Sequence, residues 1–137
     1  MANQLNPYIS FRDTAGPAME FYQSVLGGEL TRTTFAELDM GTGPDEAHKI
    51  MHAQLEVPGG LVLMAADLPN SMDLPPNGNV SISLSGDDEA ELRGYFEGLS
   101  AGGAVSMPFE LAPWGDVFGM LVDPYGVAWM VNSVDRR

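Results

Sequence analysis

The chain has 137 residues, 45% of them hydrophobic and none of them cysteine, with a formal net charge of −13 at pH 7. That length suits one compact domain, or two small modules sharing a core. The charge argues against a surface for nucleic acid or anionic membrane, and the missing cysteine excludes disulfides, thiolate nucleophiles and Cys-based metal sites. No apolar run approaches the roughly 20 residues of a membrane span, and no basic-then-apolar signal pattern opens the chain, so a cytoplasmic protein is expected.

Asn6-Pro7-Tyr8-Ile9-Ser10-Phe11 reads as a short strand with Ile9 and Phe11 on one face. Asp13 or Thr14 is placed to cap a helix, and Pro17 is tolerable in its first turn. Ala18, Phe21, Tyr22 and Val25 then fall at the i, i+3, i+4, i+7 spacing of an apolar helical stripe, which Gly27-Gly28 ends. Residues 29–36 look extended, and residues 39–48 form a loop containing Gly41, Gly43 and Pro44. Residues 49–57 alternate as a strand, and Pro58-Gly59-Gly60 turns the chain into a fourth strand at 61–66. Leu68 to Gly78, holding three prolines, is the natural linker.

After the linker the pattern restarts. Asn79-Val80-Ser81-Ile82-Ser83-Leu84 matches the first strand at Asn, Ile and Ser. Asp87 is placed to cap a second helix with the stripe Leu92, Tyr95, Phe96 and Leu99, each 74 positions beyond its first-half counterpart (92 − 18, 95 − 21, 96 − 22, 99 − 25). Gly102-Gly103 ends that helix, and residues 104–112 read as a strand. A hairpin through Asp123-Pro124-Tyr125-Gly126 finishes the unit, with a turn whose proline and glycine preset its dihedrals. Gly60 and Gly126 are each followed by a methionine four residues on, Met64 and Met130. The expected architecture is α+β, two βαβββ modules at 1–67 and 79–137 joined by a linker at 68–78.

Alternation assigns Ile9, Phe11, Leu61, Leu63, Ile82, Leu84, Val127, Trp129 and Val131 to the helix-facing side, with Met51, Ala53 and Leu55. The other face takes Asn6, Tyr8, Ser10, His52, Gln54, Val62 and Met64 from the first half. From the second it takes Asn79, Ser81, Ser83, Phe118, Ala128, Met130 and Asn132. This mixture is too polar for a packed core and too apolar for open solvent, as in a cavity wall for a small organic molecule. His52 is the one imidazole on that face and is the candidate general acid or base, set against a plain strand histidine. His48, with Glu46 or Glu56, is a weaker candidate for a metal site, set against accidental spacing. Asn6 and Asn79 can each donate and accept, Met64 and Met130 can shape an apolar pocket, and Trp114 and Phe118 can stack on a planar ligand. Gly41-Thr42-Gly43 is too short for a phosphate loop.

The residues Asn-Pro-Tyr-Ile-Ser-Phe at 6 to 11, Phe21-Tyr22 with Leu26-Gly27-Gly28-Glu29, Met51-His52-Ala53, Pro113-Trp114-Gly115 and 123–132 resemble the vicinal oxygen chelate superfamily. That superfamily includes glyoxalase I, extradiol dioxygenases and bleomycin-resistance proteins, and the resemblance is to its PhnB-like branch. It implies eight strands curled round a cavity, often in a homodimer. The superfamily's metalloenzymes carry ligands on the first and last strand of each module, which correspond here to Asn6, Met64, Asn79 and Met130. Two amides and two thioethers are poor donors for a divalent ion, so no metal cofactor is expected.

The leading expectation is therefore a metal-independent small-molecule-binding protein, with Asn6, Tyr8, Gln54, Met64, Asn79, Ser81, Trp114, Phe118 and Met130 contacting the ligand. One alternative is a lyase or isomerase using His52 as its acid or base; another is a partner-binding dimer with a filled pocket. The methyltransferase name attached to some PhnB-like sequences gains nothing from these residues, since no Gly-rich cofactor loop follows the first strand.

Overall fold

The computed structural model describes residues 3–37, 44–74 and 79–134. Loop residues 39–43 and linker residues 75–78 lie outside them. The chain divides into two compact units, Met1–Pro76 and Asn77–Arg137.

The first unit runs β1 (Tyr8–Phe11), α1 (Ala15–Leu26), β2 (Glu29–Thr34), a 3-10 turn at Pro44–Glu46, β3 (Ile50–Val57) and β4 (Leu61–Asp67). Its sheet has the order β1-β4-β3-β2, with β1 parallel to β4 and the other pairs antiparallel. The second unit repeats this as β5 (Ile82–Gly86), α2 (Glu89–Ser100), β6 (Ala104–Leu111), β7 (Val117–Val122) and β8 (Ala128–Ser133), in the order β5-β8-β7-β6. These are the two expected βαβββ modules. No helix among the described residues is long and apolar enough to cross a membrane.

In the first unit α1 buries Ala15, Ala18, Met19, Tyr22 and Leu26, and the strands bury Phe11, Ala53, Leu55, Val57, Leu63 and Ala65. Each large side chain so buried stabilises by about 1.5–3 kcal/mol. The apolar stripe is thus rotated from the expected one. Ala18 and Tyr22 are its middle, Met19 and Leu26 complete it, and Phe21 and Val25 stay half-exposed. In α2, Leu92, Phe96 and Leu99 are buried as expected, while Tyr95 is half-exposed.

Both helix starts differ from the expected caps. Thr14 stands at the α1 N-cap position without a side-chain cap bond. The buried carboxylate of Asp67, from the end of β4, instead accepts from Ala15 N at 2.9 Å and from Ile50 N at 2.9 Å. It thereby places negative charge at the helix N-terminus while tying β3 to α1. In α2 the cap is Asp88 rather than Asp87, accepting from Glu91 N at 3.1 Å.

The glycine pairs show why the helices stop where they do. A Cβ on Gly28 would lie 2.2 Å from the Glu56 carbonyl oxygen, and one on Gly103 would lie 2.2 Å from that of Val122. Only a residue without a side chain lets the chain leaving each helix pass so close to the sheet.

Two expected core residues are corrected. Thr33 pairs with His52 and Thr34 with Ile50, so Met51 is an extra bulge residue and Ile50 takes the buried place. Leu61, at the tip of the β3–β4 hairpin, is 42% exposed.

Candidate functional site

Paired residues on neighbouring strands point to the same side, so the sheet face away from each helix follows from the register. In the first unit one row runs Tyr8–Met64–Gln54–Thr31 across β1, β4, β3 and β2. One step along, Ser10 pairs with Ala66 and Thr33 with His52. The Tyr8 and His52 rings meet over β4, with centroids 5.9 Å apart and planes tilted by 37°. Among the described residues the His52 imidazole has no hydrogen-bond partner.

The second unit lays the same face out with different chemistry. Its row runs Ser83–Met130–Met120–Met107 across β5, β8, β7 and β6. The next runs Ser85–Asn132–Phe118–Glu110. Asn132 donates from Nδ2 to Asp116 Oδ2 at 3.1 Å. Trp114, in the β6–β7 loop and 63% exposed, packs edge-on against Phe118 with centroids 5.7 Å apart.

Most of the expected ligand-contacting residues lie on these faces. His52, Gln54, Met64, Phe118 and Met130 are half-buried there, and Tyr8 is more open. The two asparagines are placed differently. Asn6 is half-buried just before β1, where the Pro7 carbonyl accepts from Met64 N at 3.0 Å. Asn79 and Ser81 are exposed and precede β5. The first-strand neighbours of Met64 and Met130 are therefore Tyr8 and Ser83, rather than Asn6 and Asn79. The units match at this strand with an offset of 75 (83 − 8), as the second glycines of the two pairs do (103 − 28), not the 73 of the asparagine match (79 − 6). Asn79 lies four residues before Ser83, in the turn that precedes β5.

His48 is exposed in the turn before β3. The strand begins at Ile50 and the bulge follows, so His48 does not share His52's alternation. Glu46 accepts from Asn70 N at 2.5 Å, and Glu56 accepts from Gln54 Nε2 at 2.9 Å. Among the described residues no group of three or more His, Asp or Glu is arranged to hold a metal ion.

A polar clamp that the sequence reading missed borders the first unit. Lys49 is 3% exposed, and its Nζ lies 2.7 Å from Asp13 Oδ1, 2.6 Å from Asn70 Oδ1 and 3.0 Å from the Leu68 carbonyl. The hydrogen bond to Lys49 holds the Asp13 carboxyl below its usual value, against the opposing effect of burial. Arg12 donates to the carbonyls of Leu68, Pro69 and Met72. Together they bind the segment after β4 to the start of α1.

Met120 was also missed, although it stands as far beyond Gln54 as Phe118 stands beyond His52 (66 positions). Met107 had no such signal. Two register shifts in β6 flank it, and they bring it beside Met120 while Phe109 is buried.

A family model described as 3-demethylubiquinone-9 3-methyltransferase matches residues 3–132. Protein YjdN of Escherichia coli (strain K12) is 29% identical over 97% of both chains. The structure of protein PA1353 from Pseudomonas aeruginosa is 37% identical, covers 96% of this chain and 98% of its own, and superposes with a TM-score of 0.83. A PhnB protein from Bacillus cereus, 24% identical over 96% of this chain and 100% of its own, shares the fold at a TM-score of 0.74. So does a glyoxylase/bleomycin resistance protein/dioxygenase domain from Frankia sp. EAN1pec, 20% identical over 99% of this chain and 94% of its own, at 0.68. The duplicated βαβββ fold and these matches lead to one assignment: the chain belongs to the family that this model describes, with the fold that the PhnB protein and the glyoxylase/bleomycin resistance protein/dioxygenase domain also have.

Proposed function

We propose that the protein binds a small organic molecule on these sheet faces and does so without a divalent metal. The observation that carries this reading is the donor set of the two rows. Tyr8, Met64, Gln54 and Thr31 in one unit, and Ser83, Met130, Met120 and Met107 in the other, supply a phenol, hydroxyls, one amide and thioethers. A divalent Zn, Mn, Fe or Ni ion needs imidazole, thiolate or carboxylate donors, and these rows do not fit it. The same groups suit an organic ligand, since polarizable sulfur and aromatic rings cover apolar surface while isolated amides and hydroxyls fix orientation. Tyr8, Gln54 and Met64 are the proposed contacts in the first unit, with Asn6 at the edge of the row. Trp114, Phe118 and Met130 are those in the second. Asn79 and Ser81 contribute only to a ligand long enough to reach past the start of β5. The protein is further proposed to work as a homodimer.

Calorimetric and thermal-shift screening against aromatic and amphiphilic metabolites, run with a chelator present, tests this reading. Saturable, stoichiometric binding is the expected result. Purified protein carrying a stoichiometric divalent metal that supports an activity would overturn it.

A second reading is a lyase or isomerase using His52 as acid or base on a carbonyl substrate. It is favoured by the position of the imidazole beside the Tyr8 ring. Full turnover of a discovered substrate by His52→Ala would remove it. The methyl transfer in the family description is left out of both readings. The β1–α1 connection is Arg12-Asp13-Thr14, with no glycine to bring backbone against a cofactor.

A further inference from the structure

We propose that Met107, Met120 and Met130 together form a site for one soft monovalent metal ion, Cu(I) or Ag(I). The three occupy one line across adjacent strands, Met107 beside Met120 and Met120 beside Met130. Adjacent strands lie about 4.8 Å apart, so the outer two methionines are separated by roughly 10 Å at the backbone, and flexible side chains can lean in toward the central sulfur. Thioethers are soft donors that select Cu(I) over the harder divalent ions.

The alignment is produced by the local backbone. Val105 pairs with Leu121, Met107 with Met120 and Glu110 with Phe118, so β6 gains one residue on each side of Met107. Bulges of this kind re-aim a side chain. Met107 is exposed (45%), as are the other residues of β6 except Phe109, which is 5% exposed. The corresponding row of the first unit, Met64–Gln54–Thr31, has a single thioether, so the sulfur line belongs to the second unit alone. No Lys, Arg or His occurs on β5, β6, β7 or β8, and the adjoining row carries Glu110. A monovalent cation therefore meets no opposing charge on this sheet and no imidazole competing for it.

This inference goes beyond the organic-ligand reading and does not rest on it. Because the ligand screen is run with metal chelated, failure of the metal site leaves that reading standing. The test is titration of the purified protein with Ag(I), and anaerobically with Cu(I), against a chromophoric chelator. One equivalent per chain is expected to transfer to the protein. Leucine keeps the volume of methionine but removes the sulfur. Met120→Leu should therefore lose at least the roughly 10–100-fold in affinity that even an outer partner of a metal site is worth. Met107→Leu, at the more exposed position, should weaken binding in the same direction and carries the test should Met120→Leu unfold. Met72→Leu, at an exposed methionine of the first unit, should leave binding unchanged. Thioethers do not titrate, so affinity should hold between about pH 8 and pH 5, where imidazole becomes protonated. No transfer from the chelator, unchanged affinity in both Met120→Leu and Met107→Leu, or loss of the ion on acidification would each overturn the proposal.

Discussion

Lys49 and Asp13 form a salt bridge of 2.7 Å between an ammonium whose side chain is 4% exposed and a carboxylate whose residue adopts φ 67. The bridge depresses the Asp13 pKa below its ordinary 3.8. A depressed folded-state pKa adds stability that is fully present above the unfolded value and is lost as pH falls through the folded one. Asn tolerates the left-handed conformation at least as well as Asp. Asp13→Asn should therefore be less stable than wild type at neutral pH, and the difference should vanish well below pH 3.8. Urea midpoints across that range check it, and a gap that does not change with pH would contradict it.

Replacing the other member of the bridge should cost more. Lys49→Met removes the buried ammonium that pairs with Asp13 and donates to the Leu68 carbonyl and the Asn70 side chain, leaving Arg12 as the remaining donor to that carbonyl. The loss should be about 1–3 kcal/mol by chemical denaturation. Faster proteolysis within the segment after β4 should accompany it, since Lys49 holds that segment down.

Asp123 should be the most sensitive carboxylate of the second unit. It is 2% exposed and accepts from Tyr125 N at 2.8 Å, Val127 N at 3.1 Å and Trp129 Nε1 at 2.8 Å. Asp123→Ala strands these donors and should destabilise by about 3 kcal/mol or more. Trp129 fluorescence should report a loosened hairpin, and Asp123→Asn, which keeps one acceptor oxygen, should cost less.

Glycines within one pair should differ in tolerance. Gly28→Ala and Gly103→Ala drive a methyl group onto a backbone carbonyl that the sheet holds in place. Each should cost more than about 3 kcal/mol. Gly27 has φ 78 and ψ −164, a region essentially confined to glycine, but open space around its missing Cβ, so Gly27→Ala should cost roughly 1–3 kcal/mol of backbone strain and no clash. Thermal unfolding of the three variants separates the two causes.

Extended dialysis against a divalent-metal chelator should leave both the thermal midpoint and organic-ligand binding unchanged. A resident structural ion would stabilise the folded state by mass action, so its removal would lower the midpoint.

By itself the sequence determined the duplication, the order of strands and helices in each unit, and which side of β3, β4, β7 and β8 packs on a helix. Those features rest on local chemistry. Helical spacing is set within one turn, strand alternation within two residues, and a glycine pair such as Gly27-Gly28 or Gly102-Gly103 favours a helix end close to it. Tertiary structure alone decided the register. It put Tyr8 and Ser83, not Asn6 and Asn79, beside the two methionines, because the pairing of a first strand with a last one is chosen by contacts between distant residues. It also inserted the extra residues at Met51 and around Met107, each of which reverses the alternation beyond it. Local pattern carries no trace of such an insertion, so the buried Ile50, the aligned Met107 and the Asp67 cap could be known only once the strands were paired.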